Sequence, residues 1–180
     1  MEAGTSLREA LADLPTRSDR AALDATHWHL GPGLLHVRLP NFEWRKRALA
    51  SHDAHHVLTG FPCTPAGEMQ MAAWEFAAGR YPHAGATAFC LPLVGMGALL
   101  LPRRTFNAFL RGRRSTSLYS LALDDALLAS PVDALRARHA PDVAHAASMR
   151  DRFAYLLWVG ASLALMLVPF ALLAFVFFWR

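Results

Sequence analysis

The chain has 180 residues, enough for one domain with a substantial core. Its 54% hydrophobic content lies above the roughly 45–50% usual for soluble domains, and much of the excess falls in the tail. The net charge of +4 comes from arginine with a single lysine, which excludes a general nucleic-acid binder. Two cysteines, Cys63 and Cys90, exclude a disulfide framework and suit a reducing compartment.

Acidic residues at Glu2, Glu9 and Asp13, with no apolar stretch beside them, argue against a transit or signal peptide. Helices are expected near 6–14, 18–30, 41–59, 65–79, 84–101, 103–111, 115–129 and 131–139, punctuated by Gly, Pro and Ser/Asp. Ser18, Asn41, Thr64 and Ser130 are the N-cap candidates. A weak strand pattern covers only 35–39, and residues 140–150 read as a join. The expected fold is all-α: a compact helical domain over 1–149 and a C-terminal transmembrane or membrane-inserted helix over 150–180.

The tail carries that last expectation. Residues 153–179 are 27 in a row without a charge, about 40 Å as a helix against a hydrocarbon core of ~30 Å. Tyr155 and Trp158 at one end and Trp179 at the other suit interfacial belts. Arg150 and Arg152 stand on the side of the domain, consistent with positive-inside orientation. Pro169 leaves a kinked span and a shallow re-entrant hairpin both open. A second charge-free run, 89–101, is too short to span alone and reads as a core helix or the wall of a lipid groove.

The chemistry-bearing feature is His52-Asp53-Ala54-His55-His56, followed after eleven residues by Glu68. On a helix at about 100° per residue, with His52 at 0°, His56 falls near 40° and Asp53 near 100°, while Ala54 points away. His55, near −60°, borders the group as a partner to a ligand rather than as a ligand. Gly60 reads as a helix C′ residue, and Thr64-Pro65 starts the next helix, so Glu68 lies in its first turns beside the helix just left. Two imidazoles and carboxylates in that arrangement are a donor set for a divalent cation. Cys63 lies within reach of such a cation, although a small loop thiol is the plainer reading. His27, His29 and His36 read as structural, and Trp74, Phe76, Met69 and Met71 as core.

The HDxxH-x11-E stretch, with HVLTG after the second histidine and AGE around the glutamate, resembles the ubiquinone biosynthesis protein four family. The likeness runs from about 34 to 138, including Arg111-Gly112-Arg113 and the Pro131-to-Arg136 segment; residues 1 to about 33 give no firm match. The resemblance implies a membrane-associated helical protein with metal ligands at His52, Asp53, His56 and Glu68, which act catalytically through the metal. It implies a role in making coenzyme Q by decarboxylating a polyprenylated hydroxybenzoate ring, with hydroxylation of the same carbon open. Zinc is the expected metal and iron the alternative, since only a redox metal activates oxygen. The expected partners are that quinone precursor, membrane lipids and other enzymes of the pathway, with a homo-oligomer open and no nucleic acid. The expected location is the cytoplasmic face of a bacterial inner membrane. Arg103, Arg104 and Arg111 are candidates for holding the substrate carboxylate, for anionic lipid, or simply a solvated basic face. Two other readings are a non-catalytic lipid-binding scaffold for the pathway and a zincin-like hydrolase, the latter disfavoured because Asp53 stands where that motif needs a glutamate.

Overall fold

The computed structural model describes residues 4–14, 25–30, 37–79, 81, 83–142 and 146–178. Among them are eight α-helices and one two-stranded ribbon, so the fold is all-α as expected. In chain order these are α1 (Leu7–Ala12), β1 (His27–Leu30), β2 (Val37–Pro40), α2 (Glu43–Thr59), α3 (Pro65–Ala78), α4 (Ala84–Leu100), α5 (Pro102–Gly112), α6 (Asp125–Ala129), α7 (Val132–His139) and α8 (Met149–Phe178).

Two helix expectations are corrected. The part of 18–30 that is described forms β1, paired antiparallel with β2 so that His27 faces Pro40 and Leu30 faces Val37. Gly31-Pro32-Gly33 follows directly and cannot continue a helix. The expected helix 115–129 is a 3₁₀ turn at Leu118–Ser120 followed by α6. The Leu118 N–H is spent on His55 Nε2 at 2.8 Å rather than on a helical ladder. Asp124 then caps the start of α6 by accepting from Leu127 N at 2.8 Å. Of the cap candidates, Thr64 performs as expected, accepting from Gly67 N at 3.2 Å. Asn41 and Ser130 each sit one residue early, next to the caps Phe42 and Pro131, and Ser18 lies outside the described residues.

The hairpin of α2 and α3 is held at its turn. Gly60 closes α2 in the left-handed conformation (φ +73°), its N–H bonding to His56 O at 2.9 Å. The remaining carbonyls at that end meet two arginines. Arg111 Nη1 donates to Thr59 O at 2.7 Å, and Arg136 donates to Leu58 O at 2.9 Å and Val57 O at 3.0 Å. Cations there satisfy orphan carbonyls and complement the helix dipole. Gly112 lets α5 lie against α3, since a Cβ would stand 2.3 Å from Trp74 O. Trp74, Phe109, Leu7, Leu58, Met71 and Leu118 fill the resulting core.

The tail is a single unbroken helix through Pro169, which removes the re-entrant hairpin, and it is long and apolar enough to cross a membrane. Its first half is also part of the domain. Arg113 pairs with Asp151 at 3.1 Å, Tyr155 packs on Phe106 and Phe109, and Trp158 packs on Phe76. The boundary expected at 150 is therefore a change of composition rather than of packing. Ser162 fixes the register: its buried hydroxyl accepts from Gly95 N at 2.9 Å and donates to Leu91 O at 2.7 Å. It bridges two groups of α4 that an undisturbed helix joins directly, beside the Pro92 that disturbs the ladder. From Leu167 on, every described side chain is exposed. Ser162→Ala strands both backbone groups in an apolar contact and should cost about 1–3 kcal/mol. Unfolding in detergent should show a lowered midpoint; an unchanged one would mean that the bridge carries no stability.

Candidate metal centre

Three of the four expected ligands converge. His52, His56 and Glu68 each place one ligand atom so that all lie within 4.8 Å of one another. His52 Nε2 is 3.1 Å from His56 Nε2 and 3.1 Å from Glu68 Oε2, and His56 Nε2 is 3.2 Å from Glu68 Oε1. Donors about 2.0–2.1 Å from a zinc-sized cation stand roughly 2.8–3.4 Å apart between octahedral and tetrahedral geometry. The spacing therefore suits a single cation. Asp53, the fourth expected ligand, lies outside the group and is half-buried on the flank of α2. Its helical angle explains this: the cluster forms between His52 and His56, and Asp53 projects about 60° past His56. Cys63 is a free thiol in the turn and also outside the group.

The hydrogen bonds on the far side of each ring determine what faces inward. His56 Nδ1 is 2.8 Å from Phe61 O, and His52 Nδ1 is 3.0 Å from Glu75 Oε1. A carbonyl and an ionised carboxylate only accept, so both Nδ1 atoms carry the proton. Each neutral imidazole then turns its Nε2 lone pair toward the other and toward Glu68. Two lone pairs and a carboxylate at that distance call for a positive charge between them, either a proton or a metal ion. A ligand histidine whose other nitrogen donates to a carboxylate or carbonyl is the usual support of a bound metal.

Glu75, which sequence reasoning missed, organises this. It is fully buried in α3 and accepts from His52, from His55 Nδ1 at 2.7 Å, from Tyr119 OH at 2.7 Å and from Tyr81 OH. Burial alone would push its carboxyl up, but the charge of His52 and the hydrogen bonds from His52 and His55 override burial and hold it far below the usual range. His55, expected to support a ligand, does so through this carboxylate. It takes the Leu118 N–H on Nε2, and burial lowers its pKa, so it stays neutral. Burial and the charge of Glu75 raise both tyrosines well above their ordinary value. The Cys90 thiol is pushed up to about 11 by burial and Glu75, which leaves it unsuited as a nucleophile. The spacing of Glu68 and Glu75, seven residues apart on one face of a helix, was the available signal. The tyrosines come from separate segments and left none.

Two members of the cluster line a mostly apolar cavity of about 210 Å³. His52 and Glu68 share its wall with Trp28, Trp44, Phe89 and Leu93, so run 89–101 is both core helix and cavity wall. The arginines expected at the substrate do not reach it. Arg103 and Arg104 are exposed on α5, and Arg111 is committed to Thr59 O and to Ala140 O at 3.2 Å. The arginine that lines the cavity is Arg45.

No protein family, curated protein or solved structure matches this chain.

Two predictions follow from the charges. Purified full-length protein should bind about one divalent ion per chain; His52→Ala and Glu68→Ala should lose it and Asp53→Ala should keep it, as read by elemental analysis. Unchanged metal in the first two would refute the assignment. In metal-free protein, the carboxyl of Glu68, which burial would raise, is held at about 2 by the two histidines. Its contribution to stability is present above its unfolded value of 4.5 and is lost as pH falls toward 2. Burial opposes the charged form of His52, but Glu75 and Glu68 raise its pKa well above 6.5, so its contribution is complete below 6.5 and is lost as pH climbs through the raised value. The cluster should thus stabilise metal-free protein most between about pH 4.5 and 6.5. Added zinc should raise the melting temperature more at pH 8 than at pH 6, because at the lower pH it must displace a proton; a larger shift at pH 6 would contradict this.

Proposed function

We propose that the chain is a membrane-anchored, metal-dependent enzyme of coenzyme Q assembly that removes the carboxylate from a polyprenylated hydroxybenzoate ring. One observation carries this reading above the others: two imidazole nitrogens and a carboxylate meet beside an apolar cavity that His52 and Glu68 line. The HDxxH-x11-E likeness supports the substrate class, and the apolar helix α8 supports a substrate that lives in the bilayer.

His52, His56 and Glu68 would hold the metal, and Glu75 and the Phe61 carbonyl would orient the two rings. The bound ion supplies a Lewis acid for the carboxylate or phenol oxygens. The bond between ring carbon and carboxylate breaks, its electron pair stays on the ring carbon, carbon dioxide leaves, and a proton from water takes its place. Hydroxylation at the same carbon would need a redox metal such as iron, dioxygen and a two-electron reductant, so that one oxygen atom enters the ring and the other leaves as water. The cavity is smaller than the roughly 300–1,000 Å³ of many ligand sites. It accommodates a head group and leaves a prenyl chain to lie outside. Arg150 and Arg152 at the start of α8 favour the cytoplasmic face of a bacterial inner membrane for the domain. A hydrolase of the zincin type is disfavoured because Asp53 stands where that motif needs a glutamate as general base, and the shorter aspartate reaches poorly.

Deleting the gene and extracting quinone intermediates tests the proposal. Carboxylated prenyl rings should accumulate, and a copy bearing His52→Ala should fail to clear them. Loss of all late intermediates, restored equally by the wild type and His52→Ala, would instead mark a non-catalytic scaffold.

A further inference from the structure

Arg45 is a cation placed where the cavity otherwise offers aromatic and aliphatic surface. Its guanidinium stacks over Trp28 at 4.1 Å from the ring centroid, and its Nη1 donates to Asn41 Oδ1 at 2.8 Å. Among the described residues no carboxylate pairs with it, although it is half-buried. Trp28 meets Phe89 edge-on at 5.4 Å, Trp44 stacks on His83 at 4.3 Å, and Phe89, in the same wall, is 44% exposed. A cationic fork set among flat rings is a receptor for the anionic edge of a planar ligand.

Its position is fixed relative to the cluster. Arg45 and His52 are seven residues apart on α2, on one face and about 10 Å apart along the axis, and both line the cavity. A benzene ring with oxygen groups at opposite ends spans that interval once a metal–oxygen bond at one end and a hydrogen bond at the other are added.

We propose that Arg45 binds a second, acidic oxygen of a planar aromatic ligand, on the side of the ring opposite the oxygen that meets the His52–His56–Glu68 cluster. This rests on the metal-enzyme reading and adds the orientation of the ring. The carboxylate faces the cluster, and a para hydroxyl, held as its oxyanion, faces Arg45. An oxyanion there raises electron density at the carbon that loses carbon dioxide and takes up the proton. The slot is thereby selective for para-oxygenated rings.

Calorimetric titration of full-length, zinc-loaded protein in detergent tests this, with 4-hydroxybenzoate and 4-methoxybenzoate as probes. Wild type should bind the hydroxy compound about tenfold or more tightly, the difference expected of a charge-assisted hydrogen bond. Arg45→Gln should lose that preference with metal content unchanged, and Arg45→Lys should restore part of it. Should Arg45→Gln not fold, the wild-type ratio and Arg45→Lys decide. Equal affinities in wild type, binding of neither probe, or a preference that survives Arg45→Gln overturns the assignment. A preference that persists while carboxylated prenyl rings are never turned over counts against the enzyme reading alone.

Discussion

A single buried carboxylate, Glu75, is the constraint on which the site depends. Its side chain is wholly inside, where an uncompensated charge is prohibitively costly, and it is tolerated because four donors converge on it. Those donors come from α2, from the segment before α4 and from the 3₁₀ turn, so one group ties three separate parts of the chain to α3. The same bonds decide the chemistry. By accepting the hydrogen bond from His52 Nδ1–H, Glu75 obliges Nε2 to face Glu68 and His56, and by holding His55 it seats the turn that carries Tyr119. Removing one member of such a network leaves the others buried without partners, so its loss is felt well beyond one hydrogen bond.

The arginines divide by role according to where the backbone leaves carbonyls unpaired. Arg111 and Arg136 sit at the end of α2, where they hold Val57, Leu58 and Thr59 carbonyls and thereby the turn that delivers Phe61 O to His56. Arg113 secures the start of α8 through Asp151. The tail continues from that anchor as a wall of the domain, locked by Ser162 before it emerges as exposed apolar helix. Domain and apolar tail helix are thus one packed unit through α4, and α4 also lines the cavity.

Much of this was legible from residue order. The His52–His56 pair lies one helical turn apart, and Gly60, Thr64 and Pro65 mark the turn that swings Glu68 back beside it. The all-α class and the apolar tail follow from the same kind of local pattern. What escaped was tertiary. Asp53 belongs to the motif by spelling, yet its helical angle sets it aside from the cluster. Glu75 went unread because nothing local says that a carboxylate will be buried. The strand at His27–Leu30 and the broken helix near Leu118 depend on partners far along the chain, and Arg45 enters the cavity only because β1 brings Trp28 across it. Arginine density drew attention to residues 103–114, whereas the arginine at the cavity belongs to the shorter Arg45-Lys46-Arg47 run.

X-ray absorption at the zinc edge of the full-length, zinc-loaded protein measures the central claim most directly. The account predicts a shell of nitrogen and oxygen only, about 2.0–2.1 Å from the metal, with the outer scattering of two imidazoles. Sulfur at about 2.3 Å, or a shell without imidazole, would show that His52, His56 and Glu68 do not hold the ion.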